Sequence, residues 1–299
     1  MDSDPKISVV ICTYNRAKFI EEALHCLVSQ TLAPSKYEII IVNNNCTDST
    51  ETIVNNFISD NKTHNCRQVS EFNQGLSFAR NKGIKEANYS LICYIDDDGY
   101  AEPKYLENIL EIFIDNHDFV GVGGKVIPVY ETEEPEWLNS YLRMMVTSID
   151  FGNIPFRCYG KKYPAGCSMI YRKDILIEAG GFNNDLKWRA DDKYIFHAVR
   201  KLSKEIYYRP ELRVQHCIDG DRITDKNFDR LSALLGSEER LRILGKKRWA
   251  YPFKLSEFIF KYFASIVIAF YFLLKNEFIK GKYTIRFRWL ALKGFLGLS

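Results

Sequence analysis

Short apolar runs alternate with amphipathic stretches through the first hundred residues. Ile7 to Cys12 (I-S-V-V-I-C) is a mostly apolar run of strand length, followed by the polar turn Thr13-Tyr14-Asn15-Arg16. Ile20, Leu24, Leu27 and Val28 then recur at helical spacing. Glu38 to Val42 predicts a second strand, ending in Asn43-Asn44-Asn45-Cys46-Thr47. Asp48 with Glu51 three residues on forms a capping-box pattern for a helix carrying Ile53, Val54, Phe57 and Ile58. Leu76, Ala79, Gly83, Ile84 and Ala87 mark a further helix, which leads into the strand Leu91 to Ile95. Strands alternating with helices in this way predict βαβ units and a parallel sheet covered by helices.

The middle of the chain is less regular. A strand is predicted near Phe119 to Val122, with glycines at 121, 123 and 124, and a proline-broken aromatic stretch runs on to Tyr163. Gly180-Gly181-Phe182 ends one helix, and Asp191-Asp192 opens the next, whose apolar face is Ile195, Ala198, Val199 and Leu202. From Tyr251 the pattern changes. Tyr262 to Leu274 is thirteen uncharged residues between Lys261 and Lys275, short of the roughly 20 that a bilayer span needs. This predicts an amphipathic helix lying in a membrane interface with its lysines at anionic headgroups. The alternative is a core helix packed on the α/β domain.

Composition changes this picture little, but charge changes it more. The chain has 299 residues, 46% of them hydrophobic, and a net charge of +3. These values exclude a disordered, collagenous or disulfide-dense protein and give no expectation of a nucleic-acid partner. Residues 245–299, however, hold eleven Lys or Arg against two acids, so the basic charge is concentrated in the tail. A core helix does not require that excess, whereas an anionic membrane surface attracts it. The expected organisation is an α/β domain over 1–245 and a basic, helical, membrane-associating tail over 246–299. None of the eight cysteines forms C-x-x-C, several sit in apolar runs, and the N-terminus is acidic with no apolar signal core. The expected setting is the cytoplasm, peripheral on the inner membrane face.

In open α/β sheets, ligands bind beyond the carboxyl ends of the strands. Thr13-Tyr14-Asn15, Asn43-Asn44-Asn45 and Asp96-Asp97-Asp98 are three such ends, and the architecture aims them at one crevice. Neighbouring carboxylates raise one another's pKa, and a divalent cation relieves the repulsion. Carboxylates combined with substrate phosphates are the usual setting for Mg²⁺ or Mn²⁺.

The motifs at these strand ends resemble glycosyltransferase family 2. They are Thr13-Tyr14-Asn15-Arg16, Asn43 to Asp48, Asn73-Gln74-Gly75 with Ala79-Arg80-Asn81-Lys82-Gly83, and Tyr94 to Asp98. Gly166 to Arg172, Gly180-Gly181-Phe182, Asp191-Asp192 and Val214-Gln215-His216 continue the likeness, which covers residues 6–245. The resemblance implies a GT-A fold: a Rossmann-like, mixed but mostly parallel sheet flanked by helices. It also implies inverting transfer of a sugar from a nucleotide diphosphate donor, with UDP favoured, to a glycan or lipid-linked hydroxyl. Asp98 would ligate the metal, with Asp96 or Asp97 holding ribose or metal-bound water, Asp96 being also a candidate ligand, and His216 completing the metal or diphosphate site. Tyr14, Asn43 and Asn44 match positions that contact the base, and Arg80 matches an arginine near the nucleotide. Asp192 matches a catalytic base and Asp191 a residue that positions the acceptor. Inversion needs such a base on the face opposite the leaving group.

Departures from the family pattern qualify these expectations. Asn43 stands where the family usually has Asp, and Ala190-Asp191 replaces the common Gly-Glu. Gly245-Lys246-Lys247-Arg248-Trp249 is similar to the Q-x-x-R-W of processive synthases but lacks the Gln, so transfer of a single sugar is expected. Two other readings compete. A non-catalytic nucleotide-sugar-binding scaffold would fit the altered Asn43 and Ala190. A sugar nucleotidyltransferase would need a Gly- and Arg/Lys-rich loop after the first strand, which Thr13 to Arg16 does not provide.

Overall fold

The computed structural model describes residues 5–185, 191–246 and 248–298. Ala190 and Lys247, singled out in the sequence, lie outside them. The chain separates into two compact units: residues 1–129 with 149–217, and residues 130–148 with 218–299.

The first unit is α/β. Its elements run β1 (Ile7–Thr13), α1 (Ile20–Val28), β2 (Tyr37–Asn43), α2 (Thr50–Asp60), β3 (Cys66–Ser70), α3 (Leu76–Glu86), β4 (Leu91–Tyr94), β5 (Gly99–Ala101) and α4 (Tyr105–Asp115). They continue with β6 (Gly121–Tyr130), β7 (Phe156–Arg157), β8 (Met169–Arg172), α5 (Lys173–Glu178), α6 (Asp191–Leu202) and β9 (Ile206–Ile218). The sheet order is β3-β2-β1-β4-β8-β6-β9-β5, with β7 on β9. It is parallel from β3 to β4 and antiparallel where β8 joins β4 and β6, and where β5 and β7 join β9.

Side-chain alternation along the strands builds a core on each face. Val9, Ile11, Ile39 and Ile41 pack with Leu24, Phe57 and Leu106. Val10, Ile40 and Val42 pack on the other face with Ala79, Leu176 and Phe196. The glycine-rich start of β6 is explained by close approach: a Cβ on Gly124 would lie 1.9 Å from the Leu212 carbonyl oxygen, and one on Gly123 would lie 2.5 Å from Pro164.

The second unit is mostly helical, with α7 (Asp225–Lys246), α8 (Tyr251–Leu274) and α9 (Phe278–Leu296). Helices α7 and α9 cross in close contact. A Cβ on Gly236 would lie 1.9 Å from the Ala291 oxygen, and one on Gly294 would lie 2.0 Å from the Ala233 oxygen. Trp137, Phe228, Leu231 and Phe287 form this unit's core.

Three sequence expectations are corrected. The helix after β2 starts at Thr50: Asp48 Oδ1 accepts the Thr50 N–H at 3.0 Å, while Glu51 accepts from Asn43 instead of closing a capping box. The strand ending at His216 begins at Ile206 and passes through Pro210, so it is far longer than the three residues expected. The thirteen uncharged residues of the tail belong to a 24-residue helix, α8, about 36 Å long at 1.5 Å per residue. The segment Arg248–Leu274 has a mean hydropathy of 1.8 over its most apolar 18 residues, of which 11% are buried. By length and composition it is able to cross a membrane, contrary to the expectation that it falls short.

Candidate active site

The carboxyl ends of β1, β2 and β4 meet at one edge of the sheet, as the alternating pattern requires. Beyond β4 the chain turns, with the Gly99 N–H bonded to the Asp96 carbonyl at 2.9 Å, and then forms β5. Strand β5 pairs antiparallel with β9, setting Gly99 opposite His216, and the Cys217 N–H reaches the Asp98 carbonyl at 2.8 Å. This pairing carries His216 across about 120 residues of sequence to the acidic turn. Its Nε2 lies 3.1 Å from Asp98 Oδ1, and both residues are buried.

Asp96, Asp98 and His216 each offer one ligand atom, all within 4.8 Å of one another. Two guanidiniums also grip the turn. Arg16 contacts Asp97 Oδ1 through Nε at 3.2 Å and pairs with Asp98 through Nη2. Arg80, only 3% exposed, donates to Asp96 Oδ1 at 3.3 Å and pairs with Asp191. Its guanidinium lies over the rings of Tyr94 and Phe182, and the Tyr94 hydroxyl donates to its carbonyl. A Cβ on Gly166 would come within 2.6 Å of Arg80 Nη2, so that glycine makes room for the guanidinium.

Asp191 and Asp192 open α6, where negative charge suits the helix dipole. Asp191 is buried on Arg80, whereas Asp192 is half-buried. The backbone N–H groups of Gly166 and Lys193 donate to Asp192. Burial and the neighbouring Asp191 push its carboxyl up to about 6. Burial pushes Asp97 up to about 7, against the pull of Arg16 and the Thr13 side chain. Asp96 is likewise raised by burial, against the pull of Arg80. Five carboxylates thus gather on two guanidiniums. The excess negative charge, with oxygen and imidazole donors in reach of one point, fits a divalent cation. The His216 Nδ1 is buried and has no hydrogen-bond partner among the described residues, which fits an imidazole whose surroundings are completed by a bound group.

The residues expected to contact the base divide into two kinds. Tyr14 is 51% exposed at the rim and free to stack. Asn15, with φ of 54°, ties the first loop to the second by accepting the Thr47 N–H at 2.7 Å. The amides of Asn43 and Asn44 are engaged within the protein. Asn43 Oδ1 accepts the Cys46 N–H at 2.9 Å, and its Nδ2 donates to Glu51. Asn44 donates to the Glu71 and Asn73 carbonyls at 2.9 and 2.8 Å and accepts from the Gly75 N–H at 2.8 Å. Both shape the loops that would hold a base. The sequence reading assigned no role at the site to Gly166, Glu51 or Thr50, whose Oγ1 accepts the Arg16 N–H at 2.9 Å. Of these, Gly166 opens the Gly166 to Arg172 motif and Glu51 falls in the capping-box pattern, while Thr50 left no local signal in the sequence.

The chain is similar to known glycosyltransferases in sequence and in fold. A glucosyl-dolichyl phosphate glucuronosyltransferase of Haloferax volcanii is 25% identical over 227 residues, covering 71% of this chain and 69% of that one. The poly(ribitol-phosphate) beta-N-acetylglucosaminyltransferase TarS of Staphylococcus aureus is 28% identical over 249 residues, 78% of this chain and 40% of its own length. Among solved structures, S. aureus TarS 1-349 in complex with UDP-GlcNAc matches with a TM-score of 0.55 at 22% identity, covering 79% of this chain and 66% of that one. The mannosyltransferase PcManGT from Pyrobaculum calidifontis, in complex with GDP-Man and Mn²⁺, matches with a TM-score of 0.65 at 16% identity, covering 99% and 88%. These structures share the GT-A fold expected from the sequence. The family model for Glycosyl transferase family 2 matches residues 8–180, more than half of the chain, and the protein belongs to that family of glycosyltransferases.

Proposed function

We propose that the protein is a metal-dependent, inverting enzyme that moves one sugar from a nucleoside diphosphate donor, with UDP as carrier, to a hydroxyl of a glycan or lipid-linked acceptor. The observation that carries this reading is one line of contacts. It runs from His216 and Asp98, at the acidic turn, through Asp96 and Arg80 to Asp191, beside Asp192. A charge-compensating end and a proton-accepting end are thereby fixed to the same arginine.

Asp96, Asp98 and His216 would hold Mn²⁺ or Mg²⁺, which supplies Lewis-acid compensation for the charge developing on the departing diphosphate. Tyr14 offers its ring to the base, and the loops braced by Asn15, Asn43 and Asn44 frame it. Asp97, beside the Thr13 side chain, would hold the ribose. Asp192 takes the proton of the acceptor hydroxyl as its oxygen bonds to the anomeric carbon and the bond to the β-phosphate oxygen breaks. Its raised pKa places the proton transfer near neutral pH. Arg80 holds Asp191 in place beside it.

The tail supports work at a membrane surface. Phe260, Phe263, Val267 and Phe270 of α8 are exposed, while its other flank packs on α9 through Phe258 and Tyr262. Helix α9 carries Lys280, Lys282, Arg286, Arg288 and Lys293, and each such charge at mid-bilayer costs about 2.5–3.5 kcal/mol. A pair lying in the interface of the cytoplasmic leaflet keeps the apolar face in lipid and the charges at headgroups. The names of the relatives, one acting on a dolichyl phosphate, are consistent with a lipid-linked acceptor.

The test is a panel of UDP- and GDP-sugars with Mn²⁺ and Mg²⁺, reading released nucleoside diphosphate. Asp98→Ala should lose turnover and Mn²⁺ binding. Asp192→Asn should lose turnover and keep nucleotide affinity. Unchanged turnover in Asp98→Ala overturns the metal reading. Nucleotide binding by the wild type without turnover of any donor favours the scaffold alternative.

A further inference from the structure

We propose that Arg288 of α9 holds the phosphate of one anionic phospholipid, so that the tail carries a discrete headgroup site in addition to its diffuse basic charge. This rests on the reading of the tail as an element of the membrane surface.

Helices α8 and α9 pack antiparallel. Phe258 stacks on Phe295 with ring centres 4.6 Å apart, and a Cβ on Gly281 would lie 3.0 Å from the Ala269 oxygen. Arg288 stands seven residues, close to two turns, from both Gly281 and Phe295, so it shares their flank and faces the seam. It is half-buried there, 4.9 Å from the centre of the Phe287 ring. Among the described residues its guanidinium makes no hydrogen bond or ion pair. Glu257, the carboxylate whose charge reaches it, is committed elsewhere, with Oε2 on Lys254 at 2.8 Å and Oε1 on Lys261. Glu239 of α7 shares Lys254 at 3.0 Å and takes Arg242 Nε at 2.7 Å. Two carboxylates thus serve three cations, and Arg288 is left over. A half-buried charge without a counter-ion is costly, and burial disfavours the charged form of this guanidinium. Phosphate oxygens match its fork of donors.

The surroundings select a lipid as the source of that phosphate. Trp289, the next residue, is 47% exposed and lies 5.5 Å from the Tyr262 ring, which in turn lies 5.5 Å from the exposed Phe263. Trp and Tyr favour the headgroup level of a bilayer. A phosphate on Arg288 would therefore sit at that level while its acyl chains lie along the bare apolar flank of α8, which a soluble anion leaves uncovered.

The experiment follows phosphatidylglycerol retained by the full chain from detergent micelles, by native mass spectrometry, with thermal unfolding in parallel. It compares wild type, Arg288→Gln, Arg288→Lys and Lys226→Gln, the last an equal loss of charge at an exposed position at the start of α7. Wild type should retain one phosphatidylglycerol per chain and melt several degrees higher with it. Arg288→Gln, which removes an unpaired charge, should be at least as stable without lipid, bind the lipid about tenfold more weakly and lose the shift. Arg288→Lys, which keeps the charge but not the fork, should fall between, and Lys226→Gln should match wild type. Unchanged binding in Arg288→Gln, or equal weakening in Arg288→Gln and Lys226→Gln, overturns the inference. A shift reproduced by inorganic phosphate alone overturns it too, by making the site one for free phosphate. If wild type sediments with mixed vesicles but retains no phosphatidylglycerol, the site falls and the membrane reading stands. Failure to sediment with any vesicle overturns the membrane reading, and the inference falls with it.

Discussion

Arg80 and Asp191 form a buried ion pair between residues 111 positions apart, with Arg80 also on Asp96 at 3.3 Å. The pair joins the acidic turn after β4 to the first turn of α6. Burial works against the guanidinium charge, but Asp191 and Asp96 hold it firmly protonated. Removing one partner of a buried pair typically costs about 3–5 kcal/mol because the other charge is stranded. Arg80→Ala should therefore lower the melting temperature by several degrees and abolish turnover. Arg80→Lys, which keeps the charge but not the fork, should retain most of the stability and still lose at least tenfold in kcat. Thermal unfolding with steady-state kinetics separates the two effects. Full activity in Arg80→Lys would show that the bidentate geometry is unimportant.

Gly166 should behave as part of the same device. Its added Cβ would press on Arg80 Nη2 at 2.6 Å. Overpacking of this kind typically costs about 1–3 kcal/mol. Gly166→Ala should reduce kcat with a smaller effect on UDP affinity, and combining it with Arg80→Lys should cost less than the two changes added. Strict additivity in the double-mutant cycle would disconnect Gly166 from the arginine.

The pH dependence follows from Asp192, whose carboxyl is raised from 3.8 to about 6 by burial and by Asp191. As a base it must be ionised, so kcat/KM should fall as pH drops through about 6. The sign for stability is opposite. A carboxyl whose folded-state pKa lies above its unfolded value adds no penalty below the unfolded value. The penalty grows as pH rises through the interval and is complete above about 6. Asp192→Asn should therefore be inactive and, above that pH, at least as stable as the parent. A low-pH limb near 4, or clear destabilisation of Asp192→Asn, would place the base elsewhere.

How far the sequence reveals this site depends on the range of the contacts. Strands β1, β2 and β4 were legible because buried parallel strands are nearly continuous apolar runs, and their polar ends follow directly. Strand β3, Cys-Arg-Gln-Val-Ser, carries no such run because it lies at the sheet edge and is only half-buried. Gly99 to Ala101 is too short to register and exists because β9 supplies its partner. The acidic turn and His216 were recognisable individually, but what unites them is β5–β9 pairing, which no local pattern encodes. The engagement of Asn43 with Glu51, and of Asn44 with the 71–75 loop, was hidden for the same reason. In the tail, counting uncharged residues understated α8. Lys254, Glu257 and Lys261 satisfy one another along one flank, so the helix continues through residues that read as the end of an apolar segment.

That ion-paired flank bears on how the tail meets a membrane. Phe260, Phe263, Val267 and Phe270 are 60–72% exposed. Burying such side chains contributes about 1.5–3 kcal/mol each, ample for partition even after interfacial losses. Replacing these four by Ser should sharply reduce binding to vesicles of mixed anionic and neutral lipid. Charge should act separately. Lys282 is exposed, and Lys275 lies at the end of α8 beside the Tyr271 ring. Changing both to Glu should weaken binding to anionic vesicles while leaving binding to neutral ones nearly unchanged, and raised salt should mimic that change. Cosedimentation across lipid composition and ionic strength distinguishes these contributions. Equal binding by the four-Ser variant and the parent would mean that α8 is covered by something other than lipid.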